Sequence, residues 1–354
     1  MIKYAENIVS IIQDYHCDLE NATPMTVGHL LDWVAQFDGG DQEFILSELS
    51  HLFRQGIYVS REMAKKYMLD LIPFFAKQFQ YDSIEQFLNE SNFIQIQKEG
   101  KSQDILLQLL NEVLEESYGR SLASCGAMGV KNYIYIDDIL ATGKTFVSNI
   151  QTWLKVDDRL AKLEDKRIRL ASYFFAYHTL GLNNSRFILK SNLGKDLFLS
   201  DKLFPVAYEY KIQNSIKEFK PELNLIYPTN QNDVNTELYL NSLTGHAERH
   251  RDIAYRPANL PLIETFFSSK ENRIRLESIF LNKGIEIILR IKDESKQKNH
   301  RPLGKTYPSY HTFGTGTMFF TWRNISNTCP IVLWWDVPAH NWKPLFKVHN
   351  RGQN

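Results

Sequence analysis

Long apolar runs are missing from this sequence, and neither charge sign is in excess. The chain has 354 residues, and its 41 basic residues equal its 41 acidic residues. The apolar stretches, such as that around residues 285–291, are far below the roughly 18–20 residues that span a membrane. The first fifteen residues carry acids within their apolar positions, unlike a secretory signal. We therefore expect no membrane partner.

Cysteine is also scarce. The three cysteines are odd in number and far apart: Cys17, Cys125 and Cys329. This pattern predicts reduced thiols in a cytoplasmic protein, and it excludes a disulfide scaffold or a zinc framework. With 43% hydrophobic and 23% charged residues, the composition is that of a globular protein of about two domains, or of one core with large additions.

The zero net charge hides a gradient along the chain. Residues 1–60 contain two basic and nine acidic residues, whereas residues 245–354 contain seventeen basic and nine acidic residues. Because the charges are dispersed, two solvated surfaces of opposite sign are the simpler interpretation. A basic C-terminal third would alternatively attract a phosphate-rich partner such as nucleic acid.

Three segments differ in pattern, and we expect them to form separate domains. Residues 1–90 show apolar residues at helical spacing and predict a helical N-terminal segment. Residues 91–200 alternate strand and helix patterns, which predicts an α/β core with a parallel sheet. The strands are expected at 93–97, 133–136 and 169–177, and the helices at 104–118 and 145–163. Residues 201–354 predict an α+β, aromatic-rich and basic extension, with a helix over 262–282 capped by Gly284.

The stretch Tyr133–Thr145, YIYIDDILATGKT, carries the clearest chemistry. Four apolar residues form a strand, and the acids Asp137 and Asp138 follow it. A loop then opens a helix, whose first N–H groups and dipole attract an anion. Gly143 allows close approach of a phosphate. Carboxylates beside a phosphate site suit the hydroxyls of a ribose or a Mg²⁺ ion, so the segment predicts a sugar-phosphate site.

This segment resembles the phosphoribosyl pyrophosphate (PRPP) motif of type I phosphoribosyltransferases. That motif has four apolar residues, two acids, two apolar residues, one variable residue and then Thr-Gly-x-Thr, and every position matches. The resemblance implies a Rossmann-like parallel sheet of the phosphoribosyltransferase type. It assigns Asp137 and Asp138 to the ribose hydroxyls as catalytic residues, with indirect contact to Mg²⁺. It assigns the 5′-phosphate to Ala141, Thr142, Gly143, Lys144 and Thr145.

A second part of the family pattern precedes the motif. The family has a pyrophosphate-binding loop after an earlier strand, and Lys98, Gly100, Lys101 and Ser102 hold the corresponding place. A simple helix-capping turn is an equal alternative there. Ordinary members then have a strand and a long catalytic loop, for which only 120–130 remains here. This departure puts ordinary base-transfer catalysis in doubt more than the fold.

Two alternatives apply to the motif itself. A Walker A P-loop needs glycine where Asp138 stands, and a carboxylate there would face the phosphates. The other alternative is a sheet edge with two solvated aspartates and a helix cap, without a ligand. The segment His246–His250 does not match the H-E-x-x-H motif of metalloproteases, because Glu248 is in the wrong place.

Four of the six tryptophans lie in the C-terminal third. A packed core explains them most simply, and a stacking surface for a base or single strand is the alternative, with Trp322, Arg301 and Arg323 as nucleic-acid or acceptor contacts. The extension resembles that of phosphoribosyltransferase-like proteins in bacterial anti-phage loci. This implies a toxin effector, as in a retron, held by partners such as a reverse transcriptase with its RNA–DNA product.

Two functions remain open from the sequence. The first is a glycosyltransferase or glycosyl hydrolase that binds PRPP or a related ribose 5-phosphate compound with Mg²⁺ and acts at C1 of the sugar. The second is an inactive PRPP or nucleotide sensor, whose extension binds nucleic acid or a protein. A P-loop NTPase is a third hypothesis, less well supported by the sequence.

Overall fold

The computed structural model describes residues 1–20, 22–194, 205–216, 222–243, 248–293, 297 and 299–348. The chain forms two compact units. The sheet unit is Glu62–Lys211, and the aromatic unit combines Met1–Arg61 with Ile212–Asn354. This grouping differs from the three sequence segments, whose boundary at 200 lies outside the described residues. Those segment boundaries stay a prediction.

The described chain contains these strands and helices. The strands are β1 (Tyr58–Val59), β2 (Ser91–Phe93), β3 (Asn132–Leu140), β4 (Arg169–His178), β5 (Val206–Ile212) and β6 (Phe320–Thr321). The helices are α1 (Ile2–Ile12), α2 (Val27–Val34), α3 (Gly39–Phe53), α4 (Arg61–Gln78), α5 (Ile84–Asn89), α6 (Ser102–Tyr118), α7 (Lys144–Leu154), α8 (Arg159–Glu164), α9 (Thr179–Leu193), α10 (Val234–Ser242) and α11 (Lys270–Leu289). No described helix combines the length and apolarity needed to cross a membrane.

The sheet unit is built on a four-stranded sheet in the order β2-β3-β4-β5. β2 and β3 run parallel, as do β3 and β4, and Asp137 of β3 lies opposite Phe174 of β4. Nearly every residue of β4 is buried, as expected of a parallel strand covered on both faces. Tyr135, Ile150 and Phe174 belong to the core of this unit. The predicted α/β fold with a parallel sheet is confirmed.

Three predicted elements differ from the observed ones in the sheet unit. β2 ends at Phe93 rather than running over 93–97, because the N–H groups of Ile96 and Gln97 donate to the Gln103 side chain at 2.8 and 3.0 Å. β3 continues to Leu140, so the acids lie inside the strand and not after it. The helix predicted over 145–163 is divided into α7 and α8, which are separated by left-handed residues at 157 and 158.

The aromatic unit joins both ends of the chain. β1 and β6 pair in parallel, with Tyr58 opposite Phe320. The four C-terminal tryptophans are between 1% and 6% exposed, so their rings form packed core and not a stacking surface. Each indole N–H has an acceptor: Trp322 donates to Asp18, Trp334 to the Cys329 carbonyl, Trp335 to His340 and Trp342 to the Val332 carbonyl, at 3.0–3.2 Å.

The predicted helix cap at Gly284 is wrong, since Gly284 lies inside α11. α11 begins after Ser269, whose side chain accepts from the Asn272 N–H at 3.1 Å, and it runs on to Leu289. The glycine serves a packing role, because a Cβ on it would stand 2.8 Å from the Pro302 carbonyl oxygen. A chain segment distant in sequence therefore requires this glycine.

A buried ionic cluster ties α11 to the rest of the aromatic unit. Glu277 accepts from Arg256 at 2.9 Å, from Arg273 at 3.3 Å and from the Tyr227 N–H at 3.0 Å. Arg273 also pairs with Glu264. The side chains of Glu277 and both arginines are no more than 2% exposed, so each charge depends on its partners.

We predict that Glu277→Ala lowers the free energy of unfolding by about 3–5 kcal/mol, because it leaves the buried Arg256 guanidinium without its carboxylate and removes one of the two carboxylates paired with Arg273. Glu286→Ala on the same helix removes a half-exposed pair with Lys283 and is expected to cost about 0–1 kcal/mol. Urea unfolding of both variants measures the difference. Equal losses in the two variants would contradict a structural role of the cluster.

Candidate functional site

The acid pair lies in the last part of β3, near the sheet's carboxyl edge, and the segment Ala141–Gly143 connects this strand to α7. Parallel sheets bind ligands at this edge, outside the carboxyl ends of their strands. The turn is only three residues long, because residues 138–140 belong to β3. A Walker A cradle needs a longer loop between Asp138 and Lys144, so the geometry disfavours the P-loop alternative.

Asp137 is buried and accepts hydrogen bonds at both carboxylate oxygens. Oδ2 accepts from the Gln97 amide at 2.8 Å and from the Tyr135 hydroxyl at 2.9 Å. Oδ1 accepts from the Ser102 hydroxyl at 2.6 Å and from the Asp138 N–H at 3.0 Å. These donors come from the turn before α6, from α6 and from β3, so this one carboxyl group holds three parts of the unit together.

The Asp137 carboxyl group titrates near neutrality. Burial, followed by the negative charge of Asp138, raises the pKa of Asp137 to about 7. The hydrogen bonds from Ser102, Tyr135 and the Asp138 N–H oppose this rise, because they favour the ionised form. A carboxyl group with this pKa gains or loses its proton under physiological conditions.

Asp138 differs from its neighbour in exposure. Its side chain is half-buried, and its Oδ1 accepts from the Ile139 N–H at 2.8 Å. Adjacent residues of a strand point to opposite faces, so the two acids do not share one environment. Asp138 is therefore the more accessible carboxylate of the pair.

The turn before α7 is shaped by contact with α9. Gly143 has φ +80°, and a Cβ on it would stand 1.9 Å from Ser185 Oγ. A Cβ on Gly181 of α9 would stand 1.8 Å from the Ala141 carbonyl oxygen. Thr142 is half-buried, whereas the first two residues of α7, Lys144 and Thr145, are exposed. The turn thus has a backbone path that glycine alone permits, and it ends at a helix N-terminus.

The predicted pyrophosphate loop is brought to the same edge. Ser102, the first residue of α6, contacts Asp137, whereas Lys98 and Lys101 are exposed. Gly100 has φ +74°, and its N–H donates to Asp104 Oδ2 at 2.9 Å. The structure therefore joins this loop to the acid pair through Ser102, and it gives the Gly100 N–H an internal acceptor.

A model of the PRTase-CE family matches residues 30–348. The chain belongs to this family. It is a phosphoribosyltransferase-type family whose members carry a C-terminal extension, as the motif and the long last third predict. No curated protein matches the chain, and no solved structure matches it either.

In this PRTase-CE protein, the interval between α6 and β3, residues 119–131, is short and is hydrogen-bonded to the end of α5. Arg120 donates to the Asn89 side chain at 2.6 Å, and the N–H groups of Gly126 and Met128 donate to the Leu88 and Asn89 carbonyls at 2.9 and 3.0 Å. All residues of 119–131 are described, and they include a short 3-10 helix, Leu122–Ser124. This interval therefore holds no long catalytic loop.

The predicted contacts of the extension lie in the aromatic unit. Trp322 is 1% exposed, so its ring offers no face for stacking. Arg301 is half-buried and donates to the Tyr310 and His300 carbonyls at 3.1 and 2.6 Å. Arg323 is also half-buried. His250 stacks on His311 at 4.5 Å, while His246 lies outside the described residues.

Several residues of the site are not among the predicted site residues. Gln97 and Tyr135 hold Asp137, and the Asn149 amide donates to the Tyr135 hydroxyl at 3.1 Å. Gln103 is fully buried and shapes the turn before α6. Tyr135 lies inside the motif as one of its apolar positions, so the motif does not predict a role for its hydroxyl. No pattern in the sequence marks Gln97 or Gln103 as part of the site.

The described residues contain no group of three or more His, Cys, Asp or Glu side chains that would form a metal cage. Mg²⁺ is usually held by one or two carboxylates and the phosphates of a substrate. A pair of acids with one accessible member, Asp138, fits that mode of binding. It also fits the indirect role that the resemblance gives to the acids.

We predict that Gly143→Ala lowers the free energy of unfolding by about 2–3 kcal/mol, because the new methyl group would overlap Ser185 Oγ and strain the backbone. Gly119→Ala is a matched control with φ +62° and open space around it, so it carries the strain of about 1 kcal/mol alone. Urea unfolding compares them. Equal effects would show that the contact with α9 is unimportant.

The high pKa of Asp137 predicts a pH dependence of stability. An aspartate in the unfolded chain has a pKa of about 3.9, so between about pH 4 and 7 the folded protein retains a proton that the unfolded chain has released. The free energy of unfolding then falls as pH rises through this range. Asp137→Asn removes the effect.

We expect the free energy of unfolding of Asp137→Asn, taken relative to that of the wild type, to rise by about 2–3 kcal/mol from pH 5 to pH 8. Urea unfolding of both proteins at the two pH values measures this relative change, and titrations elsewhere in the chain cancel. A constant difference between the two proteins across this pH range would refute the assignment.

Proposed function

We propose that this protein binds PRPP, or a related ribose 5-phosphate compound, together with Mg²⁺ at the carboxyl edge of the sheet. The observation that carries the proposal is the placement of an acid pair, a glycine turn and a helix N-terminus within nine consecutive residues, 137–145, in a chain of a phosphoribosyltransferase-type family. Asp137 and Asp138 would receive the ribose hydroxyls. Residues 141–145 would hold the 5′-phosphate.

Each part of this site suits its part of the ligand. The first N–H groups of α7 lack acceptors within the helix, and the helix dipole adds a positive field for a phosphate. Lys144 is exposed at this end and adds a positive charge. The carboxylates accept hydrogen bonds from the ribose hydroxyl groups, whereas an ionised phosphate has no such donors to offer them. The ligand is therefore oriented with its phosphate at the helix and its ribose at β3.

The proposed reaction is displacement at C1 of the ribose. The bond from C1 to the diphosphate oxygen breaks, and the diphosphate leaves with the electron pair. A nitrogen of a base or the oxygen of water then bonds to C1 and loses its proton, which makes the protein a glycosyltransferase or a glycosyl hydrolase. Bound Mg²⁺ would neutralise the leaving diphosphate. The protein's own residues position the sugar and stabilise its positive charge through the acids.

A ligand-binding sensor without turnover is the second candidate, and the interval 119–131 favours it. Ordinary phosphoribosyltransferases are expected to cover the site with a long loop from this position, and here the interval is short and bonded to the end of α5. A site that does not exclude water binds a sugar phosphate without protecting a reactive intermediate.

The biological role that we propose is that of an effector of a bacterial anti-phage defence system. It is supported by the likeness of the extension to such proteins and by the basic excess over residues 245–354. A protein or nucleoprotein, such as a reverse transcriptase with RNA–DNA, would be the partner, and the positive charge would suit its nucleic acid.

We expect calorimetric titration with PRPP and MgCl₂ to give binding by the wild type and at least tenfold weaker binding by Asp138→Asn, since a hydrogen bond to a charged group contributes about 1.5–3 kcal/mol. Asp165→Asn is the control, because Asp165 lies in the sheet unit and pairs with Arg167 at the surface. Phosphorus NMR of the same samples, with and without added nucleobases, separates the two candidates: release of diphosphate above that of a protein-free sample indicates an enzyme, and PRPP that stays intact with water and with the bases favours a sensor.

Absence of binding by the wild type, or equal binding by Asp138→Asn and wild type, would overturn the proposed site. Asp138→Asn is preferred to substitution of Asp137 for this test, because it keeps the Asp137 carboxylate to which the Ser102 and Gln97 side chains donate.

A further inference from the structure

The hydroxyl of Ser102 stands between the two predicted subsites. Its Oγ is 2.6 Å from Asp137 Oδ1 and 3.5 Å from Gln97 Oε1. A serine hydroxyl has a single proton, and the short distance places that proton on the hydrogen bond to Asp137. Ser102 is at the same time the first residue of α6, within the loop that is expected to receive a diphosphate.

One proton serves one acceptor at a time. In the structure it goes to Asp137, which is 7% exposed and accepts from four donors. Turning the Ser102 hydroxyl toward a diphosphate would leave Oδ1 with the Asp138 N–H alone. A buried carboxylate that loses a donor loses stability, so diphosphate binding by itself works against this contact.

A ribose hydroxyl supplies the missing donor. If the sugar donates to Asp137 in place of Ser102, the carboxylate keeps its hydrogen bonds and the Ser102 proton becomes available to the diphosphate. The two subsites then assist each other through one exchanged hydrogen bond. The lysines of the loop, Lys98 and Lys101, are exposed and add a charge attraction that does not depend on the sugar.

We propose that Ser102 is a positioning residue that couples the ribose subsite to the diphosphate subsite. Its hydroxyl turns its hydrogen bond from Asp137 to the diphosphate when a ribose hydroxyl donates to Asp137 instead. This inference rests on the proposed function. It makes the site selective for a molecule that contains both a ribose and a diphosphate over either fragment alone.

The test is a binding experiment with the two fragments, ribose 5-phosphate and magnesium pyrophosphate, at pH 8, where Asp137 is mostly ionised. Calorimetry gives the pyrophosphate Kd with and without saturating ribose 5-phosphate. We expect the sugar to lower this Kd about tenfold, within the usual range of coupling between sites. Linkage requires that pyrophosphate lowers the ribose 5-phosphate Kd by the same factor.

The variants identify the residue responsible. Ser102→Ala is expected to bring the coupling factor close to one, and Ser102→Thr, which keeps a hydroxyl, is expected to restore it. Ser148→Ala on the exposed face of α7 is the matched control and should keep the wild-type factor. A serine with a purely structural role would change both Kd values without changing their coupling.

The outcomes are distinct. Independent or competing binding of the two fragments by the wild type overturns the coupling, and so does coupling that persists in Ser102→Ala. Failure of ribose 5-phosphate alone to bind the wild type overturns the proposed function and this inference with it. Pyrophosphate that binds only in the presence of the sugar supports the coupling in its strongest form.

Discussion

The carboxyl group of Asp137 is the contact on which the arrangement of the site depends. A carboxylate taken out of water is costly unless donors surround it, and this one is provided with two side-chain hydroxyls, an amide and a backbone N–H. Two of those donors, Gln97 and Ser102, are distant in sequence, so satisfying one buried group fixes where α6 begins relative to β3. The high pKa of Asp137 shows that the donors compensate for burial only in part.

The motif from Asp137 to Thr145 could be predicted because its chemistry is local. A strand, a glycine with a left-handed φ and a helix N-terminus follow one another directly, and each has a signature in the sequence. The partners of Asp137 could not be predicted in this way. Gln97 and Ser102 lie 40 and 35 residues before Asp137, and a single sequence does not show which distant polar residue meets a buried acid.

The errors at element boundaries have the same origin. The alternation over 93–97 predicts a strand, but a buried glutamine side chain, Gln103, takes the N–H groups that a sheet would have used. Gly284 has the sequence signature of a helix cap, yet a close approach of Pro302 is what requires it. In the aromatic unit, the indole N–H groups of Trp334 and Trp342 donate to backbone carbonyls and those of Trp322 and Trp335 donate to side chains, and such bonds leave no periodic pattern in the sequence.

The short interval between α6 and β3 has a kinetic consequence. Where a long loop closes over a ligand, the ligand leaves only after the loop opens, and loop motion then sets its residence time. In the interval 119–131, hydrogen bonds to Leu88 and Asn89 hold the backbone in one place. The lifetime of a ligand at this edge would then follow directly from the strength of its contacts with β3, α6 and α7, without a gating step from this part of the chain.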